Sequence, residues 1–272
     1  MSDDPLKTAK DGMVLVGEVI RAAGNDPHVK EAAGNLGQSA VTLTKAINNV
    51  LLPIAAVNFA FDKARQYFAG QFQKDIADKT SDIPAESIVE PKASIAGPTM
   101  QGLAFTHDEA NLKDMYLSLI ATAMDGRVAS SAHPAFVEMI KQLDAEEAAL
   151  IRGVLRSTEA IPIVQLRAVD KSQGFRVLAT HVLNLREDAD QVPVENSRLA
   201  AMVDNWIRLG LVDVDYDKRL SGIDAYAWVE SRPEFARLRQ LHEDVTWKVT
   251  FRMGFIERTQ LGQQFAAAVG LL

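Results

Sequence analysis

The stretch from Ile88 to Leu155, IVEPKASIAGPTMQGLAFTHDEANLKDMYLSLIATAMDGRVASSAHPAFVEMIKQLDAEEAALIRGVL, decides how this chain is read. Three helix starts lie within it. Thr106 is followed three residues later by Glu109, the spacing of a capping box, in which a hydroxyl and a carboxylate satisfy amides that the first turn leaves free. Asp144 and Glu147 repeat that spacing. Pro134 follows His133 at a place where a first-turn proline loses nothing, because its missing N–H would have no intrahelical partner. Leu112, Met115, Tyr116, Leu119 and Ile120 share one helical face, and Phe136, Ile140 and Leu143 continue the pattern on the next helix. The stretch is a packed helical module, and no reaction follows from it. An aspartate at Leu119 is expected to unfold the protein, and an alanine at Lys113 to be nearly silent.

The whole chain has 272 residues, enough for one large domain or two modest ones with a real core. Its formal net charge of −7 argues against bulk attraction to phosphate, which rests on clustered Lys and Arg. It has no cysteine, so disulfides, thiol nucleophiles and cysteine zinc sites are excluded together, in keeping with a cytoplasmic location. The opening MSDDPLKTAKDG is acidic and polar, unlike a secretory signal. The uncharged run Ala46 to Phe61 falls short of the about 20 apolar residues of a bilayer span and contains Asn48, Asn49, Pro53 and Asn58. A buried core helix suits it better than a membrane segment.

Outward from the central stretch, the pattern predicts helices over Met13–Gly24, Val29–Leu52 and Ile54–Lys79. In the last, Val57, Phe61, Ala64, Phe68, Phe72 and Ile76 recur about every four residues and point to the core. After Leu155 the texture changes. Ile161–Val169 reads as a strand, Phe175–Leu185 as a strand or helix, Pro193–Leu209 as a helix and Leu211–Tyr216 as an edge strand. Lys218–Gly222 has the composition of a turn, Ala225–His242 is partly helical, Trp247–Ile256 alternates like a strand, and a short helix opens after Thr259. Trp206 and Trp247 are expected to anchor the core.

The central stretch resembles the abortive infection alpha family of bacterial proteins. The likeness is carried by a proline-marked entry at Pro91 and Pro98, a helix bearing Leu112, Met115, Tyr116, Leu119 and Ala121, the start His133-Pro134 with Phe136, and a turn with Gln142, Leu143, Glu147 and Ala148. These signature positions read as structural. What the resemblance implies is a role in phage defence, and it brings no agreed active site. The C-terminal pattern of a helix ending R-L-G-L-V, a strand-like return and a terminal T-x-L-G-x-x-F is similar to the wing region of winged-helix domains. The expected fold is mainly α, a helical body of about six to seven helices over 1–155 with the signature at 88–155. A smaller α+β, winged-helix-like domain over 156–272 is expected to follow it.

Several polar clusters invite chemistry. His133 near Ser131 and Asp125 could serve general base catalysis, but capping explains the His-Pro pair as well. Thr106-His107-Asp108-Glu109 could ligate a metal, yet adjacent side chains of one turn diverge and no HExxH spacing occurs. Neither GxxxxGK[ST], GxGxxG nor GxSxG is present. No catalytic, metal or cofactor site is therefore assigned, and no cofactor is expected. The expected function is a non-catalytic, cytoplasmic defence component that binds another protein or a second copy of itself. Two alternatives are kept. One is a nucleic-acid regulator with Lys218 and Arg219 on a wing, although residues 196–272 carry ten basic and ten acidic side chains and lack the net basic charge of a DNA reader. The other is a membrane-active effector using 46–61.

Overall fold

A computed structural model describes residues 60–172, 174–187, 191–222 and 224–272. The helices expected over Met13–Gly24 and Val29–Leu52, and the run Ala46 to Phe61 except its last two residues, lie outside them. The described residues form nine α-helices and a four-stranded antiparallel sheet, an α+β fold and not the mainly α one expected. The chain divides into two units, Met1–Ala148 with Ala267–Leu272, and Ala149–Ala266.

In the first unit the helix expected from Ile54 to Lys79 is, from Ala60 where the described residues begin, two helices, α1 at Ala60–Ala69 and α2 at Gln71–Thr80. Gly70 between them leaves helical geometry with φ −125° and ψ −79°. Over its described part the apolar stripe survives the break, because Ala64, Phe68, Phe72 and Ile76 are all buried, while Val57 lies outside the described residues. Phe68 and Phe72 meet edge to face at 5.1 Å, the arrangement favoured by ring quadrupoles.

Helix α3, Ala93–Thr106, packs along α4, Ala110–Met124. The predicted capping box between them is absent, and the reason lies in how far α3 extends. Thr106 is its last residue, so the hydroxyl turns back and donates to the Gly102 carbonyl at 3.1 Å, while Glu109 makes no side-chain cap. Helix α4 buries more than one face: Leu117, Ser118, Ala121 and Ala123 are covered as well as Leu112, Met115, Tyr116, Leu119 and Ile120. A helix apolar nearly all round belongs in the middle of its unit. Lys113 is no idle surface residue either, since its ammonium reaches Asp75 of α2 at 3.2 Å and lies 5.8 Å from the Tyr67 ring centre.

Helix α5, Pro134–Lys141, starts as its sequence indicates, with His133 Nδ1 accepting the Ala135 amide at 3.1 Å. Helix α6, Ala145–Arg156, opens with a reciprocal capping box. Asp144 accepts the Glu147 amide at 2.8 Å and Glu147 accepts the Asp144 amide at 2.9 Å.

The second unit is built on the sheet. Strands β1, Ile161–Asp170, and β2, Phe175–Val182, form a hairpin whose turn is held by Asp170, which accepts the Ser172 and Gly174 amides at 2.8 and 2.9 Å. Helix α7, Leu199–Arg208, follows, then β3, Val212–Asp215, helix α8, Pro233–His242, strand β4, Trp247–Arg258, and helix α9, Gln260–Ala268. The spatial order is β2-β1-β4-β3, and β1 pairs with β4 along its whole length, from Ile161 opposite Ile256 to Asp170 opposite Trp247. Alternation then sorts the side chains between faces. Val164 and Leu166 of β1 and Val249 of β4 join Phe235 and Leu238 of α8 in a core on one face. Against the other lies α7, packed on β2 and β3 with Met202, Val203 and Trp206 buried.

This arrangement corrects the winged-helix expectation. A wing needs a hairpin after its helix, but α8 separates β3 from β4, and the strand that pairs most with β4 is β1, which precedes α7. Lys218 and Arg219 accordingly lie in the connection toward α8. Lys218 pairs with Asp215 at 3.2 Å, and Arg219 approaches the Met253 sulfur at 4.0 Å. Trp206 is fully buried, as expected of an anchor, whereas Trp247 is half-buried beneath the Arg176 guanidinium at 4.1 Å.

Candidate functional site

The polar residues singled out from sequence do not converge. The Asp125 carboxylate accepts the Arg127 guanidinium at 2.6 and 2.8 Å and the Arg127 amide at 3.0 Å, which together hold its pKa below the usual carboxylate range. His133 is spent on its helix cap. His107 stacks on Tyr67 at 5.2 Å and bonds the Ala104 carbonyl at 3.2 Å, so the Thr106–Glu109 cluster points apart. No group of three or more His, Asp or Glu among the described residues could hold a metal ion. Of the signature positions, Pro91, Leu112, Met115, Tyr116, Leu119, Phe136, Leu143 and Glu147 are buried. Pro98 sits inside α3, and Pro134 opens α5.

The arrangement richest in chemistry is in the second unit, at residues that sequence reasoning passed over. Its foundation is Gly254 in β4. A Cβ there would stand 2.6 Å from the Asp215 carbonyl oxygen and 2.6 Å from Cδ1 of Tyr216, so only glycine lets the chain leaving β3 lay Tyr216 on the sheet. Strand β2 meets it from the opposite edge. Its register against β1 slips between Val164 and Leu166 and again before Arg167, and beside these irregularities His181 takes φ +54°.

That backbone setting aims two His181 groups at one oxygen. The amide donates to the Tyr216 hydroxyl oxygen at 3.1 Å, and Nδ1 lies 3.1 Å from the same atom. On the far side of the ring, Nε2 is 3.2 Å from Asp204 of α7. A single proton placement satisfies the set: Tyr216 donates its hydroxyl hydrogen to Nδ1, and Nε2–H donates to Asp204. Burial holds the His181 pKa below its ordinary value against the opposing pull of Asp204, so the ring is neutral near pH 7. Burial first, then the charge of Asp204, pushes the Tyr216 hydroxyl up to about 12, with Arg167, Arg252 and the His181 amide acting the other way.

Arg167 and Arg252 continue the same face of the sheet. Gln165 stands opposite Arg252 and Arg167 opposite Thr250, which makes the two arginines diagonal neighbours. Each has a neighbour that steadies it: Arg167 lies 4.2 Å over the Phe175 ring, and Arg252 pairs with the exposed Asp217.

A sequence model of the family described as abortive infection alpha matches residues 64–269, which take in all the helices and strands described above except the first residues of α1. The chain belongs to the abortive infection alpha family. No curated protein and no solved structure matches it. In this abortive infection alpha protein the match runs beyond the central helical stretch and through the sheet, so the His181 cluster lies within the matched region. No helix among the described residues is long and apolar enough to cross a membrane.

Proposed function

We propose that this chain is a non-catalytic component of antiviral abortive infection that works in the cytoplasm by contact with another protein, a second copy of itself included. The family supplies the defence role. The observation that carries the non-catalytic reading is the commitment of both His181 ring nitrogens, one to Tyr216 and one to Asp204. A hydroxyl, a histidine and a carboxylate in a row can also activate a nucleophile, but burial pushes the Tyr216 hydroxyl up to about 12, the reverse of activation, so the row reads as a structural tie. A contact surface is available elsewhere in the same unit. Leu241 at the end of α8 is 64% exposed and Val245 just beyond it 89%, apolar area that a partner would remove from water.

The test is phage plating on cells that express the protein. His181→Asn keeps a residue that tolerates positive φ, and Asp204→Asn keeps the shape of the acceptor. Both are expected to preserve protection, and Leu241→Asp with Val245→Asp to abolish it at unchanged melting temperature. Loss of protection in either site variant with an intact fold would overturn the non-catalytic reading. Full protection from the double aspartate variant would remove the proposed surface.

A further inference from the structure

The face of the sheet that holds Arg167 and Arg252 is only half covered. Near α7 its residues Ile163 and Ile256 are fully buried. Toward the β1–β2 turn it is open, with Phe175 55% and Val177 45% exposed and Lys248 exposed beside them. The register fixes which side chains share that surface: Gln165, Arg167 and Val169 from β1, Phe175 and Val177 from β2, and Lys248, Thr250 and Arg252 from β4. Three of these are cationic and none is acidic. This stands out in a chain of net charge −7, and it is a local feature that the balanced charge of residues 196–272 conceals.

We infer that this open half-face is a platform for single-stranded nucleic acid. Like charges at diagonal positions repel. Arg167 and Arg252 are such a pair, and a polyanion laid across the strands would relieve them. The one acidic side chain paired with Arg252 is that of Asp217, which is exposed, and a solvent-exposed pair of this kind is weak enough for phosphate to displace. The second half of the argument is aromatic. Phe175 is 55% exposed with the Arg167 guanidinium 4.2 Å over its ring, so an aromatic ring and a cation stand together at the surface, the pairing on which unpaired bases stack. A duplex hides its base faces and would need an element narrow enough for a groove, whereas a sheet face offers breadth. Gln165 and Thr250 add side-chain donors and acceptors between the cations. An acidic protein would satisfy the arginines but leave Phe175 without a role.

The experiment is fluorescence anisotropy of the full chain with labelled twelve-nucleotide oligouridylate and oligothymidylate, each titrated over a range of salt. An abasic strand and a duplex of equal length serve as comparisons. Binding to either single strand is expected. Three phosphate contacts give a slope of log affinity against log salt of about −2. Arg167→Ala with Arg252→Ala is expected to weaken binding about tenfold or more and to flatten the slope to about −0.7, the value for one remaining contact. Phe175→Ala is expected to weaken it at least about fivefold with the slope unchanged, the mark of lost stacking. Arg239→Ala, which alters a cation on α8, is expected to change nothing. No binding at low salt, equal binding of the abasic strand, or an unaffected Phe175→Ala variant would each overturn the inference. Because the readout is binding in vitro, its failure would leave the plating experiment and the contact reading untouched.

Discussion

Arg232 and Glu234 are buried together at the start of α8, with the guanidinium 2.9 Å and 3.0 Å from one carboxylate oxygen. The same guanidinium donates to the Leu185 carbonyl at 2.5 Å and the Val194 carbonyl at 2.6 Å, on either side of the bridge between Arg186 and Pro193. One side chain thus ties the segment leaving β2 to the helix beneath the sheet. Removing a single partner strands a charge in the interior, so Glu234→Ala and Arg232→Ala are each expected to cost about 3–5 kcal/mol in urea unfolding. Arg232→Lys should not rescue, because an ammonium lacks the planar fork that serves a carboxylate and two carbonyls together. The double variant Arg232→Met with Glu234→Leu should lose less than the sum of the singles. Additive losses would show that the pair is not coupled.

Gly102 in α3 faces the tip of the Tyr116 ring. A Cβ at that position would come within 2.4 Å of Cζ and 2.5 Å of the hydroxyl oxygen. In an exposed helix Gly→Ala would gain up to about 1 kcal/mol. Tyr116 is almost completely buried and has nowhere to swing, so overpacking outweighs propensity. Gly102→Ala is expected to destabilise by about 1–3 kcal/mol, and Gly102→Ala with Tyr116→Phe to recover part of it as the ring loses its outermost atom. A thermal melt showing Gly102→Ala at or above wild type would mean that α3 and α4 are not held this closely.

Much of the fold was legible where the signal is local. His133-Pro134 and Asp144…Glu147 marked their helix starts because a cap is made within three or four residues, while the Val and Ile content of IPIVQLRAV and the alternation of WKVTFRMGFI identified two strands. Thr106…Glu109 carried the same spacing and misled, since spacing does not say whether a threonine begins a helix or ends one. The winged-helix expectation failed for a related reason. The order helix, strand, strand could be read along the chain, but that β4 pairs with β1, almost ninety positions earlier, could not. The site was illegible on the same account. His181, Asp204 and Tyr216 look ordinary in sequence, and they meet only through a bulged hairpin, a helix packed on it and a glycine that lets an edge strand fold over. The one available hint was arginine in the middle of two alternating strands, at Arg167 and Arg252.

Asp125 gives an acid-side prediction. Bonding to Arg127 holds its carboxyl below the usual range, so the folded state binds this proton less readily than the unfolded chain. Its stabilising contribution is complete above the unfolded pKa of about 4 and is lost as pH falls through the folded value. Asp125→Asn is therefore expected to be less stable than wild type at neutral pH, with a gap that begins to narrow below about pH 4. Urea midpoints measured at pH 7 and at pH 3 decide it, and a gap that stays constant would mean the pair contributes nothing.

His181 makes the corresponding prediction nearer neutrality. Burial depresses its pKa, so the unfolded chain takes up this proton at a pH where the folded protein refuses it. Unfolding then binds a proton, and stability must fall as pH drops below the unfolded value of about 6.5, levelling only once the folded ring is itself charged. His181→Asn should remove that slope while keeping the fold, because asparagine accepts the φ of +54°. His181→Val should be far worse than His181→Asn at every pH, since a β-branched side chain resists positive φ and neither Tyr216 nor Asp204 keeps a partner on the ring. Denaturation midpoints of the three proteins between pH 7.5 and about pH 5 separate the proton from the backbone. A wild-type slope that persists in the asparagine variant would place the titrating group elsewhere, and a valine variant as stable as the asparagine one would show that the backbone at residue 181 is not in the left-handed region.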